Sequence, residues 1–200
     1  SGPGFGGSCF QKDILNLVYL CDHYGLHQIS DYWQQVVELN NWQQDRIAEK
    51  VVENLFGTVT DKRIAIFGFA FKADTNDTRE SPAIRICNDL LEEGAQLAIY
   101  DPKVSPEQIK KDLKIEEKFS EKNLLKKHFE CSQSCNLAAS GADAILILTE
   151  WEEFKHLNWN ILASLMRKPS WLFDTRRCAN SNSAKAAGMK VWTLGAEPSL

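Results

Sequence analysis

The sequence contains no apolar run near the roughly 20 residues that a membrane-spanning helix requires. Its net charge is only −4 over 200 residues, too mild to indicate a nucleic acid or an anionic membrane as a partner. Its six cysteines lack the dense, regular spacing of a disulfide scaffold. We therefore expect reduced thiols in a cytoplasmic protein. With 44% apolar and 25% charged residues, the composition is typical of a globular protein.

Metal ligands at a recognisable spacing are also scarce. His23 and His27 are four residues apart, but Gly25 between them weakens the helix that would place them on one face. Cys131 and Cys135 have the same spacing and no companion ligands nearby. The sequence therefore predicts no metal site.

A third absence is the Gly-x-Gly-x-x-Gly fingerprint of dinucleotide-binding turns. The segment 64–68 has the pattern of a buried strand that ends in a glycine. Phe69 and Phe71 follow it, at positions that a turn in contact with a phosphate would keep small. The chain is therefore not expected to provide the main seat of a dinucleotide.

The most informative stretch that is present is Gly-Phe-Gly-Gly-Ser-Cys-Phe-Gln-Lys-Asp, residues 4–13. Its glycines allow the backbone to approach a ligand closely. Cys9 stands where an amphipathic helix begins, and a helix N-terminus favours the thiolate form. Lys12 adds a cation, and Asp13 lies on the same helix face as Cys9. The stretch indicates a nucleophilic cysteine; the alternative is a buried cysteine after an ordinary glycine turn.

Two helices are predicted before any strand. The first covers residues 10–22, and apolar residues at the helical period predict a second over 28–56, which Gly57 ends. Asn40 and Gln44 interrupt the apolar stripe of the second helix. Either they face solvent, or the helix bridges two domains and pairs with its counterpart in a second subunit.

Strands and helices alternate in the rest of the chain. The predicted strands are 63–68, 96–100, 128–131, 142–148, 171–174 and 190–194. The predicted helices are 81–93, 106–113, 134–140 and 151–166, the last broken near Asn158, and a polar stretch covers 114–127. This alternation predicts an α/β fold with a doubly wound parallel sheet over residues 58–200, preceded by a helical unit of residues 1–57.

Ligands of such sheets bind beyond the carboxyl ends of the strands, where the remaining polar motifs lie. Lys72 and Arg79 follow the first strand in a loop that also holds three acids. Lys72 is placed for a diphosphate or a uridine oxygen, and Phe71 offers an apolar face to a base or sugar. Arg176 follows another strand and can bind oxygens in bidentate fashion. The alternative for Lys72 and Arg79 is a solvated charge cluster.

Three stretches in order resemble the nucleotide-sugar dehydrogenase family. They are residues 4–13, which resemble its active-site stretch, then Phe-Ala-Phe-Lys-Ala-Asp-Thr-Asn-Asp-Thr-Arg-Glu-Ser over 69–81, and Phe-Asp-Thr-Arg-Arg over 173–177. The ending Phe-Gln-Lys-Asp of the first is closer to the UDP-glucose branch than to the mannose-derivative branches. The sequence departs from the family at Thr175, where a glycine is usual, and at Ala73, which is often a second lysine.

The resemblance implies a role for each matching residue. Cys9 would be the catalytic nucleophile, and Asp13 would position or deprotonate a water or the substrate alcohol. Residues implied to contact the UDP-sugar are Gly2, Phe5, Gly6, Phe10, Phe71, Lys72 and Arg176. Residues implied to meet the cofactor NAD are Cys9, Lys12 and Arg79.

The resemblance also implies the reaction and its setting. The family oxidises C6 of the sugar of UDP-glucose by two hydride transfers to NAD, through a thiohemiacetal and a thioester on the cysteine. We expect this chain to be the C-terminal portion of a larger parent, with a Rossmann-like UDP-binding domain after a long dimerisation helix. Its partners would be an N-terminal NAD-binding domain and a second subunit, as a homodimer or higher oligomer. The alternatives are a nucleotide-binding and dimerisation module without chemistry, or a dehydrogenase of a different UDP-sugar.

Overall fold

The structure, a computed structural model, describes residues 2–118 and 128–196. Two helices come first, α1 (Phe10–His23) and α2 (His27–Asn54). The elements that follow in the described residues are β1 (Arg63–Phe67), α3 (Pro82–Glu92), β2 (Gln96–Tyr100), α4 (Pro106–Asp112), α5 (Ile115–Lys118), β3 (Phe129–Cys131), α6 (Cys135–Ala139), β4 (Ala144–Ile147), α7 (Glu152–Lys155), α8 (Trp159–Leu165), β5 (Trp171–Asp174), α9 (Ser181–Ala186) and β6 (Lys190–Thr193).

The strands form one sheet in the order β3-β2-β1-β4-β5-β6, and every pairing is parallel. The order reverses between β1 and β4, where Ile66 is level with Ile99 on one side and Leu146 on the other. A reversal of this kind opens a crevice at the carboxyl ends of the two central strands. The predicted doubly wound parallel sheet is confirmed.

Apolar strands and one-sided helices explain why the chain folds this way. The four residues of β4 are all aliphatic and fully buried, which suits a central strand covered on both faces. The helix α3 buries Ile86 and Leu90 against the sheet. Ser81 begins α3, because its hydroxyl accepts a hydrogen bond from Ala83 N–H and Pro82 occupies the first turn.

The helix α2 is the longest element and packs on both α1 and α3. Its 28 residues span about 42 Å at 1.5 Å per residue. Ile47 and Val51 belong to the same hydrophobic cluster as the strands. The helix ends at Asn54 with Leu55 at its C-cap, and Gly57, which was predicted at that position, lies two residues further on, with a positive φ of 77° and its N–H bonded to the carbonyl of Val52. The boundary at residues 57 and 58 stays a prediction.

Two short helices were not predicted. The helix α9 is polar and begins where the side chain of Asn180 accepts a hydrogen bond from Ser183 N–H. The helix α5 lies at the start of the predicted polar stretch, whose residues 119–127 are outside the described residues. The predicted helix over 151–166 consists of α7 and α8, and Asn158 caps the second of them, at the predicted break.

No helix in residues 2–118 and 128–196 is long and apolar enough to cross a membrane.

The cleft between α2 and α3 collects carboxylates around Asp89. Burial raises the pKa of Asp89 to about 6, and the charge of Asp45 on α2 adds to this shift, as does Glu92. Arg85 and Lys118 oppose the shift. Because the folded state holds the proton more tightly than the unfolded chain, Asp89 lowers the free energy of unfolding as the pH rises from about 4 to about 6.

We expect Asp89→Asn to stabilise the protein at pH 7.5 and to leave its stability unchanged at pH 4, where Asp89 is already neutral. The expected gain is on the order of 1 kcal/mol, because solvent screens this partly exposed side chain. Urea unfolding at the two pH values measures it. An equal gain at both values would contradict the assignment of the pKa.

Candidate active site

The glycine-rich loop of residues 2–8 lies directly on the loop that follows β1. Gly7 N–H donates to the carbonyl of Arg79 at 2.8 Å. A Cβ on Gly7 would lie 3.0 Å from the ring of Phe71, and one on Gly6 would overlap the carbonyl of Glu80. These two glycines therefore let the backbone of the glycine-rich loop pack directly against the loop after β1.

The other side of the glycine-rich loop is bound to α2. Asn40 Oδ1 accepts a hydrogen bond from Phe5 N–H at 2.8 Å, and Asn40 Nδ2 donates to the carbonyl of Phe5 at 3.2 Å. Gln43 Nε2 donates to the carbonyl of Gly2. Gln44 lies against Gly4, where a Cβ would come within 3.0 Å of its amide nitrogen.

Asn40 and Gln44 are therefore internal contacts of this chain. Each is only 6% exposed. The expectation that they face solvent is therefore wrong, and the pairing of this helix with a second subunit stays a prediction. Both side chains fill the space beside Gly4, where a larger residue would place its own side chain.

Cys9 stands at the N-terminus of α1 and is exposed. Its carbonyl accepts the first helical hydrogen bond, from Asp13 N–H at 2.8 Å, and the Ser8 hydroxyl lies 3.5 Å from its sulfur. The predicted start of the helix is confirmed, and the alternative of a buried cysteine is wrong. Lys12 and Asp13 project from the next turn and are exposed.

Asp101 fixes the loop that follows β1, a role that sequence analysis missed. Its Oδ2 accepts hydrogen bonds from Phe69 N–H, Ala70 N–H and the indole N–H of Trp151, at 2.7, 3.1 and 3.1 Å. Its Oδ1 accepts two more, from the backbone of its own turn. An Asp-Pro pair directly after a strand was the available signal.

Lys72 and Phe71 lie on the open side of this loop. The Lys72 ammonium is exposed and lies 5.4 Å from the centroid of the Phe71 ring, within the range of a cation–π contact. Asp74 and Glu80 have φ values of 65° and 51°, in the left-handed region that non-glycine residues rarely adopt. Such conformations cluster at binding sites, where the surrounding structure maintains them.

Arg79 forms an ion pair with Asp77 and lies close enough to Cys9 for an electrostatic interaction. Its guanidinium makes two hydrogen bonds to the carboxylate, at 2.9 and 2.7 Å. The hydrogen bond to Asp77 is the main reason why the pKa of Arg79 is raised, and the charge that Cys9 would carry when ionised acts in the same direction. The Arg79 side chain is 67% exposed, so it remains open to an anionic ligand.

Arg176, after β5, is held by the ends of two other strands. Its Nε donates to the carbonyl of Leu148 at 2.8 Å, and its Nη2 donates to the carbonyl of Phe71 at 3.1 Å. A Cβ on Gly2 would lie 3.3 Å from Nη1. Burial lowers the pKa of Arg176, and the Glu150 carboxylate opposes this shift.

Thr175 does not obstruct this site, although the family usually has glycine there. Its hydroxyl donates to the carbonyl of Ile147 at 2.6 Å, and the whole residue is buried. The side chain therefore points into the sheet and away from the crevice.

The structure thus brings most of the predicted site residues onto one continuous surface. Contacts link Gly2 to Arg176, Arg176 to Phe71, and Phe71 to both Lys72 and Gly7. The rings of Phe5 and Phe10 pack edge to face, with centroids 4.7 Å apart. In the part of the chain that the structure describes, no three His, Cys, Asp or Glu residues are arranged to hold a metal ion.

Comparison with known families matches both parts of the chain. The UDP binding domain of the UDP-glucose/GDP-mannose dehydrogenase family matches residues 65–181, and the central domain of the same family matches residues 1–42.

Individual relatives agree with this match. The UDP-glucose 6-dehydrogenase of Drosophila melanogaster is 47% identical over 192 residues, which are 96% of this chain and 40% of the relative. That of Gallus gallus is 48% identical over 194 residues, 96% of this chain and 39% of the relative. The chain therefore spans about 40% of the length of these relatives.

Solved structures share the fold at lower sequence identity. A UDP-glucose dehydrogenase from Pyrobaculum islandicum has a TM-score of 0.70 at 24% identity, over 96% of this chain and 38% of its own. An NDP-N-acetyl-D-galactosaminuronic acid dehydrogenase from Methanosarcina mazei Go1 has a TM-score of 0.76 at 20% identity, over 98% of this chain and 39% of its own.

We expect Gly6→Ala to lift the glycine-rich loop, because the new methyl group would overlap a main-chain carbonyl that cannot move aside. The free energy of unfolding should fall by about 1–3 kcal/mol. Chymotrypsin should cleave after Phe5 faster than in the unsubstituted protein. The control is Gly188→Ala, where nothing lies within 4 Å of the new Cβ and only the positive φ is strained; unchanged cleavage in Gly6→Ala would contradict the contact.

We expect one fast-reacting thiol in the native protein, that of Cys9. Cys21 is buried and shielded from the reagent. Burial raises the pKa of Cys131 to about 11 and that of Cys178 to about 12, and raises the pKa of Cys87 and Cys135 as well. Their thiolate fractions at pH 7 are therefore very small. Ellman's reagent should titrate one fast equivalent that Cys9→Ser removes; a fast equivalent that persists in this variant would refute the assignment.

Proposed function

The chain belongs to the UDP-glucose/GDP-mannose dehydrogenase family, and from this premise we propose that it is the C-terminal part of a cytoplasmic, NAD-dependent UDP-glucose 6-dehydrogenase. The parent enzyme oxidises UDP-glucose to UDP-glucuronate. The curated relatives of this name, at 43–48% identity, support UDP-glucose over other nucleotide sugars.

The observation that carries this proposal is the placement of Cys9. The thiol is exposed at the N-terminus of a 14-residue helix, and the glycine-rich loop before it is bound to the strand-end loop that holds Phe71, Lys72 and Arg79. A nucleophile at this crevice can reach a ligand bound by the sheet. A binding module without chemistry gives no reason for a thiol at this position.

Cys9 explains how one site performs two oxidations. Two NAD molecules, bound one after the other, would each accept one hydride. After the first, the C6 alcohol has become an aldehyde, and the Cys9 thiolate adds to its carbonyl carbon to give a thiohemiacetal, which again carries a hydrogen that can leave as hydride. The second transfer leaves a thioester, and water releases the carboxylate and the free thiol. Asp13, on the same helix, orients or deprotonates the water or the first alcohol.

The residues of this chain fit NAD at its edge only. In a dinucleotide domain the turn after the first strand receives the pyrophosphate, but here a Cβ on Gly68 would overlap Thr149, and Asp101 occupies the backbone N–H groups of the next two residues. The main seat of NAD therefore belongs to an N-terminal domain. Arg79 and Lys12, beside Cys9, meet the cofactor across the crevice.

The substrate lies along the surface defined by Gly2, Phe71 and Arg176. Lys72 contacts the diphosphate, and the Phe71 ring packs on an apolar face of the ligand. The backbone of Gly2 to Gly6, together with Phe5 and Phe10, lies against the sugar.

A homodimer or higher homo-oligomer accounts for the apolar side chains that α1 and α2 leave open. Tyr19, Leu39 and Trp42 are between 54% and 65% exposed. Large side chains exposed in one region of a protein mark a surface for another subunit or domain.

In the full-length enzyme, we expect Cys9→Ser to lower the formation of UDP-glucuronate from UDP-glucose by more than about 1000-fold, because no thiohemiacetal can form. The affinity for UDP-glucose, measured by calorimetry, should change by less than about threefold, since the sulfur contributes little to binding. Cys131→Ser, at the end of β3, is the matched control and should keep full turnover. Retained turnover in Cys9→Ser, or an equal loss of binding, would count against the covalent role.

A further inference from the structure

Glu150 lies just beyond β4, next to Arg176. Its Oε2 lies 3.1 Å from Arg176 Nε. The hydrogen of Nε points to the carbonyl of Leu148, so the contact is an ion pair without a hydrogen bond. Glu150 Oε2 is buried and has no hydrogen-bond partner in the described residues.

The guanidinium of Arg176 is therefore already committed on one side. Nε and Nη2 each donate to a backbone carbonyl, and the charge is paired with Glu150. Nη1 makes no hydrogen bond within the described residues and lies next to Gly2. The Arg176 side chain is only 14% exposed, which holds this orientation, whereas that of Glu150 is 38% exposed.

This pairing determines which ligand groups the two side chains can bind. An anionic phosphate on the free side of Arg176 would also lie close to the Glu150 carboxylate, so repulsion offsets most of the attraction. A hydroxyl group has no such conflict, because it donates to a carboxylate and accepts from a guanidinium. Lys72 differs, since it takes part in no ion pair within the described ranges and is free to bind a phosphate.

We propose that Glu150 and Arg176 together bind neighbouring hydroxyl groups of the nucleotide sugar. Glu150 accepts a hydrogen bond from one hydroxyl, and Arg176 donates to the oxygen beside it. The terminal torsion of a glutamate is broad, so a small rotation brings the unpartnered oxygen to the open side. This inference rests on the proposed function and divides the ligand, with the diphosphate at Lys72 and a diol at this pair.

The test compares Glu150→Gln with the matched control Glu152→Gln in the full-length enzyme. Glu152 is 73% exposed on α7 and pairs with Lys155. Affinities for UDP-glucose, UDP and 2′,3′-dideoxy-UDP are measured by calorimetry. Glu150→Gln should weaken UDP-glucose binding about tenfold, the usual value of one charge-assisted hydrogen bond, and Glu152→Gln should not.

The two smaller ligands identify the hydroxyls. If they belong to the ribose, Glu150→Gln weakens UDP about as much as UDP-glucose and leaves 2′,3′-dideoxy-UDP unchanged. If they belong to the hexose, it weakens UDP-glucose alone. Either pattern supports the proposal.

Other results overturn it. Unchanged or tighter binding of UDP-glucose by Glu150→Gln would place a phosphate at Arg176, and equal weakening of all three ligands would indicate a merely structural role. Should Glu150→Gln not fold, Glu150→Asp is tested in the same way; it keeps the charge and withdraws the carboxylate by one carbon. Failure of the unsubstituted enzyme to bind UDP-glucose would overturn the proposed function as well, whereas intact binding with an unchanged variant overturns this inference alone.

Discussion

The candidate site depends on the packing of the glycine-rich loop between α2 and the loop after β1. Asn40 binds the backbone of Phe5 from one side, and the carbonyl of Arg79 accepts Gly7 N–H from the other. A side chain at Gly4 would meet Asn40 and Gln44, one at Gly6 would meet the carbonyl of Glu80, and one at Gly7 would meet the Phe71 ring. Because Cys9 follows this loop directly, the position of its sulfur is determined by backbone packing.

The three cationic side chains of the crevice differ in the group that each one contacts. Arg79 is paired with Asp77 at the surface, Arg176, whose own side chain is largely buried, is paired with Glu150, and Lys72 lies over the Phe71 ring. Ion pairs at the surface are screened by water, while a buried pair holds its geometry. Three cations within one crevice therefore differ in how readily they can accept a new anion.

Much of this could be predicted from the sequence, because strands and amphipathic helices follow local patterns. The aliphatic run of β4 and the period of α2 placed those elements within a residue or two of their bounds. Asn40 and Asp101 were missed, because their partners are backbone groups distant in sequence that only the fold brings near. The helix α9 was missed because its six residues are mostly polar and small. Which residues bind the ligand stays a prediction.

The helix α2 also links the glycine-rich loop to an exposed surface. The same rigid rod carries Asn40 at the loop, Ile47 and Val51 in the core, and Leu39 and Trp42 on an open face. A helix does not shorten or bend at low cost, so a push on the open face shifts the anchor of the loop as well. A partner that docks on that face therefore shifts the position of the Cys9 thiol without touching the ligand.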